Sequence, residues 1–315
     1  MSAPGPVVCV VGPTASGKSA LAELVAERLG SAVVSVDAMQ VYRGMDVGTA
    51  KTPAAERRVP LLMVDVADPT EDYSVQRFQE AARSCVDALL AEGRTPVLCG
   101  GTGLYLNAVV DEMAFPAGER GGGSRASYEE LAHERGAAAL HALLAERDPR
   151  SAELIHPNNV RRVVRALEML DEGVSYATQH EGLHERAAHY DARVWGLTMA
   201  RERLYERIDE RVDAMVASGL FDEVRALAGR GLTADSTAGQ AIGYKEVLGA
   251  LAGETSAEEA VELVKRRTRR YAKRQLSWFR HDGRVRWIDL DEASLAQAAD
   301  LVCAELGEGA GDGSL

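Results

Sequence analysis

Cysteine is scarce, and nothing in its placement suggests chemistry. Four occur in 315 residues (Cys9, Cys85, Cys99, Cys303), with no C-x-x-C pair and no histidine-rich neighbour at zinc spacing. They read as buried free thiols in a reducing compartment. No apolar run approaches the roughly 18 residues that a membrane span needs. The opening MSAPGPVVCVVGPT has neither a cationic start nor a cleavage region, so no secretory leader is read and a cytoplasmic location is expected. Aromatic residues make up only 5% of the chain, which argues against extensive base stacking. Positive charge is also in deficit: 36 Lys+Arg stand against 48 Asp+Glu, a net −12. That balance excludes a protein that coats nucleic acid through a broad positive field. What remains is ordinary globular stock, 46% hydrophobic and 27% charged, at a length suited to one large or two small domains.

Over the first hundred residues, short β-rich apolar runs alternate with longer amphipathic ones. Val7–Val11, Ala32–Val36, Leu61–Val66 and Pro96–Cys99 read as strands, and Lys18–Leu29 and Ser74–Ala91 as helices. This alternation predicts a parallel sheet covered by helices on both faces. Phe115–Ser124 (FPAGERGGGS) is a break that cannot be regular structure, and Arg125 to Glu185 is helical in pattern. Strand-like runs return at Val194–Met199 and Val285–Leu290, followed by a closing helix. The fold class is therefore α/β, with a mostly helical insertion domain. The expected division is a core of 1–114 and 191–306, an insertion of 115–190 and a disordered tail of 307–315.

Gly12-Pro13-Thr14-Ala15-Ser16-Gly17-Lys18-Ser19 fits G-x-x-x-x-G-K-[ST] between a predicted strand and a predicted helix. The glycines let consecutive N–H groups face one anion, and the helix N-terminus adds positive potential. Lys18 supplies a full charge, and Ser19 offers a hydroxyl to Mg²⁺. The core is thus P-loop-type and binds a di- or triphosphate. A second carboxylate at a neighbouring strand end is expected, and both Asp37 and Asp65 qualify by position. For either, a simple turn or helix cap is the plain alternative.

Further segments tip the balance toward Asp37. Gly12–Ser19, Ser35–Lys51 (SVDAMQVYRGMDVGTAK), Gly100–Tyr105 (GGTGLY), His156–Asn159 with Arg162 and Arg165–Glu168, Gly243–Glu246 and Lys273–Arg280 occur in this order. Together they resemble the tRNA dimethylallyltransferase (tRNA isopentenyltransferase) family over nearly the whole chain. The resemblance implies transfer of a dimethylallyl group from its pyrophosphate to N6 of adenosine 37 of tRNA, beside the anticodon. It implies that Asp37 is the general base and that Thr102 contacts the adenine and phosphate region. Arg211 resembles an arginine that holds pyrophosphate, although Leu204, Ile208, Val212 and Met215 make the same helix read as a solvated face over a buried stripe. Ala38 departs from the Ser found in many relatives. No Cys or His cluster follows Lys273, so the pattern is bacterial, without the eukaryotic relatives' zinc finger.

The charge deficit conceals one concentrated exception. Lys265–Arg280 (KRRTRRYAKRQLSWFR) holds eight cations and no acid, leaving 28 Lys+Arg against 48 acids, or −20, elsewhere. Val261, Val264, Thr268, Tyr271 and Gln275 recur at helical spacing, predicting one helix with an inner seam and cationic outer faces. Such a face can follow phosphates and fix register. The resemblance implies tRNA contacts from Lys273, Arg274, Gln275, Leu276, Ser277, Trp278, Phe279 and Arg280. Others would come from Asp37, Ala38, Met39, Gln40, Thr102 and Arg125. Two more sets would be Arg161, Arg162, Val163, Val164 and Arg165, and Gln240, Ala241, Ile242, Gly243, Tyr244 and Lys245. The implied partners are the tRNA anticodon stem-loop and dimethylallyl pyrophosphate, with Mg²⁺ as cofactor and a monomer as the expected state. The target adenine must leave its stack to react. Rival readings are a transferase acting on free adenine nucleotides, a P-loop small-molecule kinase and a non-catalytic P-loop RNA-binding regulator. The first would not need the 265–280 helix or the long insertion.

Overall fold

Val7, Cys9 and Val11 pack into one hydrophobic cluster and Val8 and Val10 into another, all at most 1% exposed. A strand that buries both faces belongs in the middle of a helix-covered parallel sheet, which is why VVCVV does not alternate with polar residues. The structure, a computed structural model, describes residues 6–113, 115, 123–182 and 187–308. Its sheet has six strands: β1 (Val7–Val11), β2 (Val33–Ser35), β3 (Leu61–Leu62), β4 (Val97–Gly100), β5 (Ala192–Thr198) and β6 (Arg286–Asp289). All pairings are parallel, in the order β3-β2-β4-β1-β5-β6.

The chain divides into two compact units, Met1–Val110 with Ala188–Leu315, and Asp111–Ala187. The first holds the sheet with helices α1 (Lys18–Arg28), α2 (Val75–Ala91) and α3 (Gly103–Val110). The second contains α4 (Gly123–Arg147), α5 (Pro149–Leu154), α6 (Val160–Asp171) and α7 (Tyr176–Gly182). The first unit then continues with α8 (Arg201–Ala217), α9 (Leu220–Ala228), α10 (Tyr244–Leu251), α11 (Ala257–Arg280) and α12 (Leu295–Glu308). Leu21, Val25, Ala298 and Val302 cover one sheet face from α1 and α12, and Phe78, Val86, Leu106 and Val109 cover the other from α2 and α3. Among the described residues, no helix is long and apolar enough to cross a membrane.

The second unit has its own core of Leu140, Leu144, Ile155, Val163, Val164 and Leu167. Its helices start where side chains cap them: Asp148 accepts from the Ser151 N–H, and Asn159 from the Arg162 N–H. Gly136, at φ 81°, breaks α4. In the first unit, α11 begins with a reciprocal cap in which Ser256 and Glu259 each accept the other's backbone N–H.

Three expectations need adjustment. β3 ends at Leu62, because Met63 and Asp65 take left-handed conformations (φ 61° and 58°) and turn the chain. The expected break at 115–124 gives way to helix at Gly123 and Ser124; 114 and 116–122 lie outside the described residues. The closing helix runs to Glu308, into the expected tail, and 309–315 lie outside the described residues.

The join between β2 and β4 is unusually close. The Val36 N–H donates to the Cys99 carbonyl at 2.7 Å, and a Cβ on Gly100 would lie 1.9 Å from the Val36 carbonyl oxygen. Neither backbone can yield without losing the pairing. Gly100→Ala should therefore cost about 1–3 kcal/mol or more, the range for overpacking a filled site. A lowered urea midpoint at unchanged m-value would show it.

Candidate active site

Four segments meet at the carboxyl edge of the sheet, where open α/β folds bind ligands. The phosphate loop follows β1, Asp37 follows β2, Gly101 and Thr102 follow β4, and Arg211 lies on α8 after β5. The loop takes its shape from left-handed backbone at Gly17 (φ 97°) and Ala15 (φ 65°). Ala15 pays for that conformation with strain of a kind that persists only when its surroundings hold it. Arg207 does so, donating from Nε to the Ala15 carbonyl at 2.8 Å.

The loop amides are not all free: within the loop, the Ser16 N–H donates to the Pro13 carbonyl at 3.3 Å. The Thr14 N–H donates to Gln275 Oε1 at 2.8 Å, and Gln275 Nε2 donates to the Gly101 carbonyl at 3.0 Å. The anion cradle read from the motif therefore lacks this donor here, and Gln275 is buried inside the site.

Two cavities adjoin at this edge. The smaller, about 70 Å³, is lined by Lys18, Ser19, Ser35, Gln40, Cys99 and Gly100. The larger, about 310 Å³, has a more apolar wall of Met39, Val212, Met215, Ala241, Ile242 and Val264, with Thr102 and Arg274. Thr14, Asp37, Thr49, Ala50, Arg211 and Tyr271 line both.

At this shared boundary, Asp37 Oδ1 accepts the N–H groups of Met39 (2.9 Å) and Gln40 (3.3 Å). Those bonds fix the carboxylate's orientation, and Oδ2 takes part in neither. Thr102 Oγ1 accepts the Ala38 N–H at 3.2 Å, joining the β4 turn to the Asp37 turn. Asp65, the other candidate carboxylate, lines neither cavity. It pairs with the buried Lys51 ammonium at 2.7 Å, because the early end of β3 turns it away.

The electrostatics favour an anion. Lys18 Nζ donates to the Pro13 carbonyl at 3.3 Å, and burial, with help from Arg211, holds its pKa below the ordinary lysine value. Arg211 is half-buried and has no hydrogen bond or ion pair among the described residues. Burial, then Arg207, lowers its pKa. A partly desolvated cation without a counter-ion is unfavourable until an anion arrives. This position answers the ambiguity of the α8 pattern: Arg211 borders the buried stripe and faces the cavities.

No three His, Cys, Asp or Glu side chains converge among the described residues. The oxygen donors of the smaller cavity include the exposed Ser19 hydroxyl and Asp37. Such a sparse set of hard donors suits Mg²⁺ that keeps water and phosphate oxygens as its other ligands. Cys99, read only as a buried thiol, lies beside Lys18 and Ser19, and burial pushes it up to about 11, so it stays protonated at neutral pH.

The residues implied to contact tRNA fall into two groups. Gln240, Ala241, Ile242 and Gly243 line the larger cavity, as do Ala38 and Met39. Gln40 instead lines the smaller one, held by Ser35 and by the Thr49 carbonyl. Lys273, Arg274, Ser277, Trp278 and Arg280 are exposed on α11, and Arg161 and Arg162 on α6. Val163, Val164, Tyr244, Gln275 and Phe279 are buried, so their side chains are closed to a macromolecule. Leu276 is half-buried against Ala15 and Met199, and Lys245 donates to Gln240. Arg125 and Arg165 both lie near the buried Glu168 (3.6 and 3.8 Å). Of the eight cations on α11, three form internal ion pairs: Lys265 with Asp213, Arg267 with Glu246 and Arg269 with Asp209. The free cationic face is smaller than the residue count suggests.

Sequence reasoning missed Tyr271 as a site residue, placing it only on the inner seam of a helix. It is the one aromatic side chain lining either cavity among the described residues. Burial, then the Asp37 charge, pushes its hydroxyl up to about 12, which keeps it a neutral donor. The seam itself was the only available signal, since α11 turns that edge toward the phosphate loop.

The sequence matches the family model described as "IPP transferase" over residues 40–282, more than half of the chain, and "Isopentenyl transferase" over residues 5–59. It is 46% identical over 289 residues to the tRNA dimethylallyltransferase of Geobacillus kaustophilus, covering 91% of each chain. It is 49% identical over 284 residues to that of Streptomyces coelicolor, covering 90% of this chain and 89% of the relative. Among solved structures, the tRNA isopentenylpyrophosphate transferase of Bacillus halodurans superposes with a TM-score of 0.70 at 42% identity, over 97% of both chains. A eukaryotic dimethylallyltransferase acting on tRNA gives 0.75 at 28% identity, over 90% of this chain and 74% of that one. On the match over residues 40–282 and these near-full-length similarities, the chain belongs to the IPP transferase family, together with the tRNA dimethylallyltransferases.

Proposed function

We propose that the protein transfers a dimethylallyl group from dimethylallyl pyrophosphate to N6 of the adenosine at tRNA position 37, beside the anticodon. The observation that carries this reading is the meeting of a cationic phosphate cavity and a larger apolar-walled one at a single oriented carboxylate, Asp37. A small-molecule kinase would need a polar pocket for its phosphoryl acceptor at that boundary, whereas a prenyl transfer needs an apolar chamber and a base there.

Pyrophosphate fits the smaller cavity against Lys18, Arg211 and the remaining loop amides, and Mg²⁺ would be held at Ser19. Held there, Mg²⁺ would supply positive charge to offset that of the leaving group. Lys18 and Arg211, both partly stripped of water, stabilise the negative charge that grows as the allylic C–O bond breaks. The allylic carbon lies in the larger cavity, where Met39, Val212, Met215 and Ile242 limit capture by water. The adenine amine is a weak nucleophile because its lone pair is delocalised. As its nitrogen forms the new C–N bond, Asp37 accepts the N6 proton. Thr102 keeps the Asp37 turn in place through the Ala38 N–H.

The anticodon loop would approach along Lys273, Arg274, Ser277 and Arg280 of α11, with Arg161 and Arg162 of α6 as further phosphate contacts. Extrusion of the target base brings its amine to the boundary.

Given dimethylallyl pyrophosphate, Mg²⁺ and unmodified tRNA without ATP, the protein should convert adenosine to its N6-dimethylallyl form. Nucleoside mass spectrometry reads this directly, and an unshifted adenosine peak would sink the assignment. Asp37→Asn should reduce turnover about 100-fold or more, within the usual range for a lost general base, and leave tRNA binding intact. Arg211→Gln should instead weaken inorganic pyrophosphate binding about tenfold or more, as expected for losing a charged hydrogen-bond partner. Parallel loss of tRNA and pyrophosphate binding in both variants would mark the two residues as structural.

The basic helix is tested by salt. Replacing Lys273 and Arg274 with Gln should reduce the slope of log K for tRNA against log[salt] by about 1.5, if each cation covers one phosphate. An unchanged slope would remove this face from the tRNA interface.

A further inference from the structure

Glu223 lies on α9 and lines neither cavity, yet its carboxylate holds the backbone that does. Oε2 accepts the N–H groups of Asp46 (2.9 Å) and Val47 (2.7 Å), while Oε1 accepts the Gly48 N–H (3.1 Å) and the Tyr244 hydroxyl. Three successive amides turned on one carboxylate form a compact anion nest, and charge strengthens each bond. Contact behind them is equally close: a Cβ on Gly48 would sit 2.5 Å from the Tyr244 ring.

Both partners of Glu223 adjoin cavity wall. Gly48, Thr49 and Ala50 line the larger cavity directly after the anchored amides, and Gln240 to Gly243 line it directly before Tyr244. Local bonds secure the first segment from its own side. Gln40 Nε2 donates to the Thr49 carbonyl, and Lys51 pairs with Asp46 while donating to the Tyr42 carbonyl. Glu223 is the one side chain among the described residues that hydrogen-bonds both that segment and the start of α10, where the Tyr244 ring also packs directly on Gly48. Among the described residues, the phosphate loop and Arg211 make no hydrogen bond or ion pair to that segment.

We propose that Glu223 is a positioning residue that sets the separation of these two walls, and so the fit of the acceptor base rather than of pyrophosphate. This role rests on the adenosine-prenylating reading above. Replacing the carboxylate with an amide keeps its size but turns an N–H₂ donor on partners that are themselves donors, so the walls separate. Tyr244→Phe removes one bond of the four.

Purified Glu223→Gln and Tyr244→Phe proteins would be compared with wild type by steady-state kinetics, by titration with inorganic pyrophosphate and Mg²⁺, and by amide hydrogen exchange. The expected pattern for Glu223→Gln is a tRNA KM raised tenfold or more, pyrophosphate affinity within twofold of wild type, and faster exchange at Asp46, Val47 and Gly48. Tyr244→Phe should shift the tRNA KM in the same direction by a smaller factor, and it serves alone if Glu223→Gln does not fold. An unchanged tRNA KM beside a lowered melting temperature would overturn the proposal, leaving Glu223 a fold-stabilising residue. Equal losses of pyrophosphate and tRNA affinity would overturn it as well. If wild-type protein bound pyrophosphate but did not prenylate tRNA, the functional reading would fall and take the acceptor-base role with it; the exchange data would then show only whether the anchor exists.

Discussion

The side-chain amide of Gln275 is the fastening on which the site depends. It accepts from the phosphate loop through Thr14 and donates to the β4 turn through Gly101, so one group on α11 sets the distance between both ligand-binding loops. The approach is possible because the turn has no side chains there. A Cβ on Gly101 would fall 2.0 Å from Gln275 Nε2, and one on Gly103 would fall 2.1 Å from the Trp278 indole. Gly101 and Gly103 thus admit a helix, where the glycines of the phosphate loop shape a turn. Because α11 presses so closely, Tyr271 reaches the boundary of the two cavities and Arg274 reaches the rim of the larger. The same helix forms cavity wall on its inner edge and presents free cations on its outer edge.

The division of labour along α11 also accounts for an acidic protein suited to a polyanion. Lys265, Arg267 and Arg269 are matched by carboxylates of α8 and α10, leaving Arg266, Arg270, Lys273, Arg274 and Arg280 exposed. Internal matching holds the helix in place, and the exposed set faces solvent. The net charge of −12 averages over both roles and describes neither.

Features set by local pattern were readable from the sequence. The strands of the sheet follow apolar runs, the phosphate loop follows its glycines and lysine, and Asp37 follows its place at a strand end. Features set by distant partners were not. Asp65 looked equivalent to Asp37 until a two-residue strand turned it toward Lys51. Glu223 had no signal at all, since its partners lie 21 to 177 positions away. Arg211 was ambiguous because it sits beside a buried stripe, and only the sheet's position decides which way such a residue faces. Tyr244, Gln275 and Phe279 lie in segments expected to contact tRNA, yet they are buried because a helix that meets a ligand must also meet its own core.

Arg211 and Lys18 face the same small cavity, where burial disfavours both charges, Arg211 adds to the cost at Lys18, and Arg207 to that at Arg211. Asp37 offsets part of this repulsion, but its carboxylate lies at the boundary and is already oriented by its own turn. The ligand-free molecule is therefore the electrostatically frustrated form. Any ligand that brings several negative oxygens to this cavity relieves the repulsion, and linkage turns that relief into resistance to unfolding. A ligand of that kind would shift the folding equilibrium toward the folded state, so that the supplied molecule would be the harder target for unfolding and proteolysis.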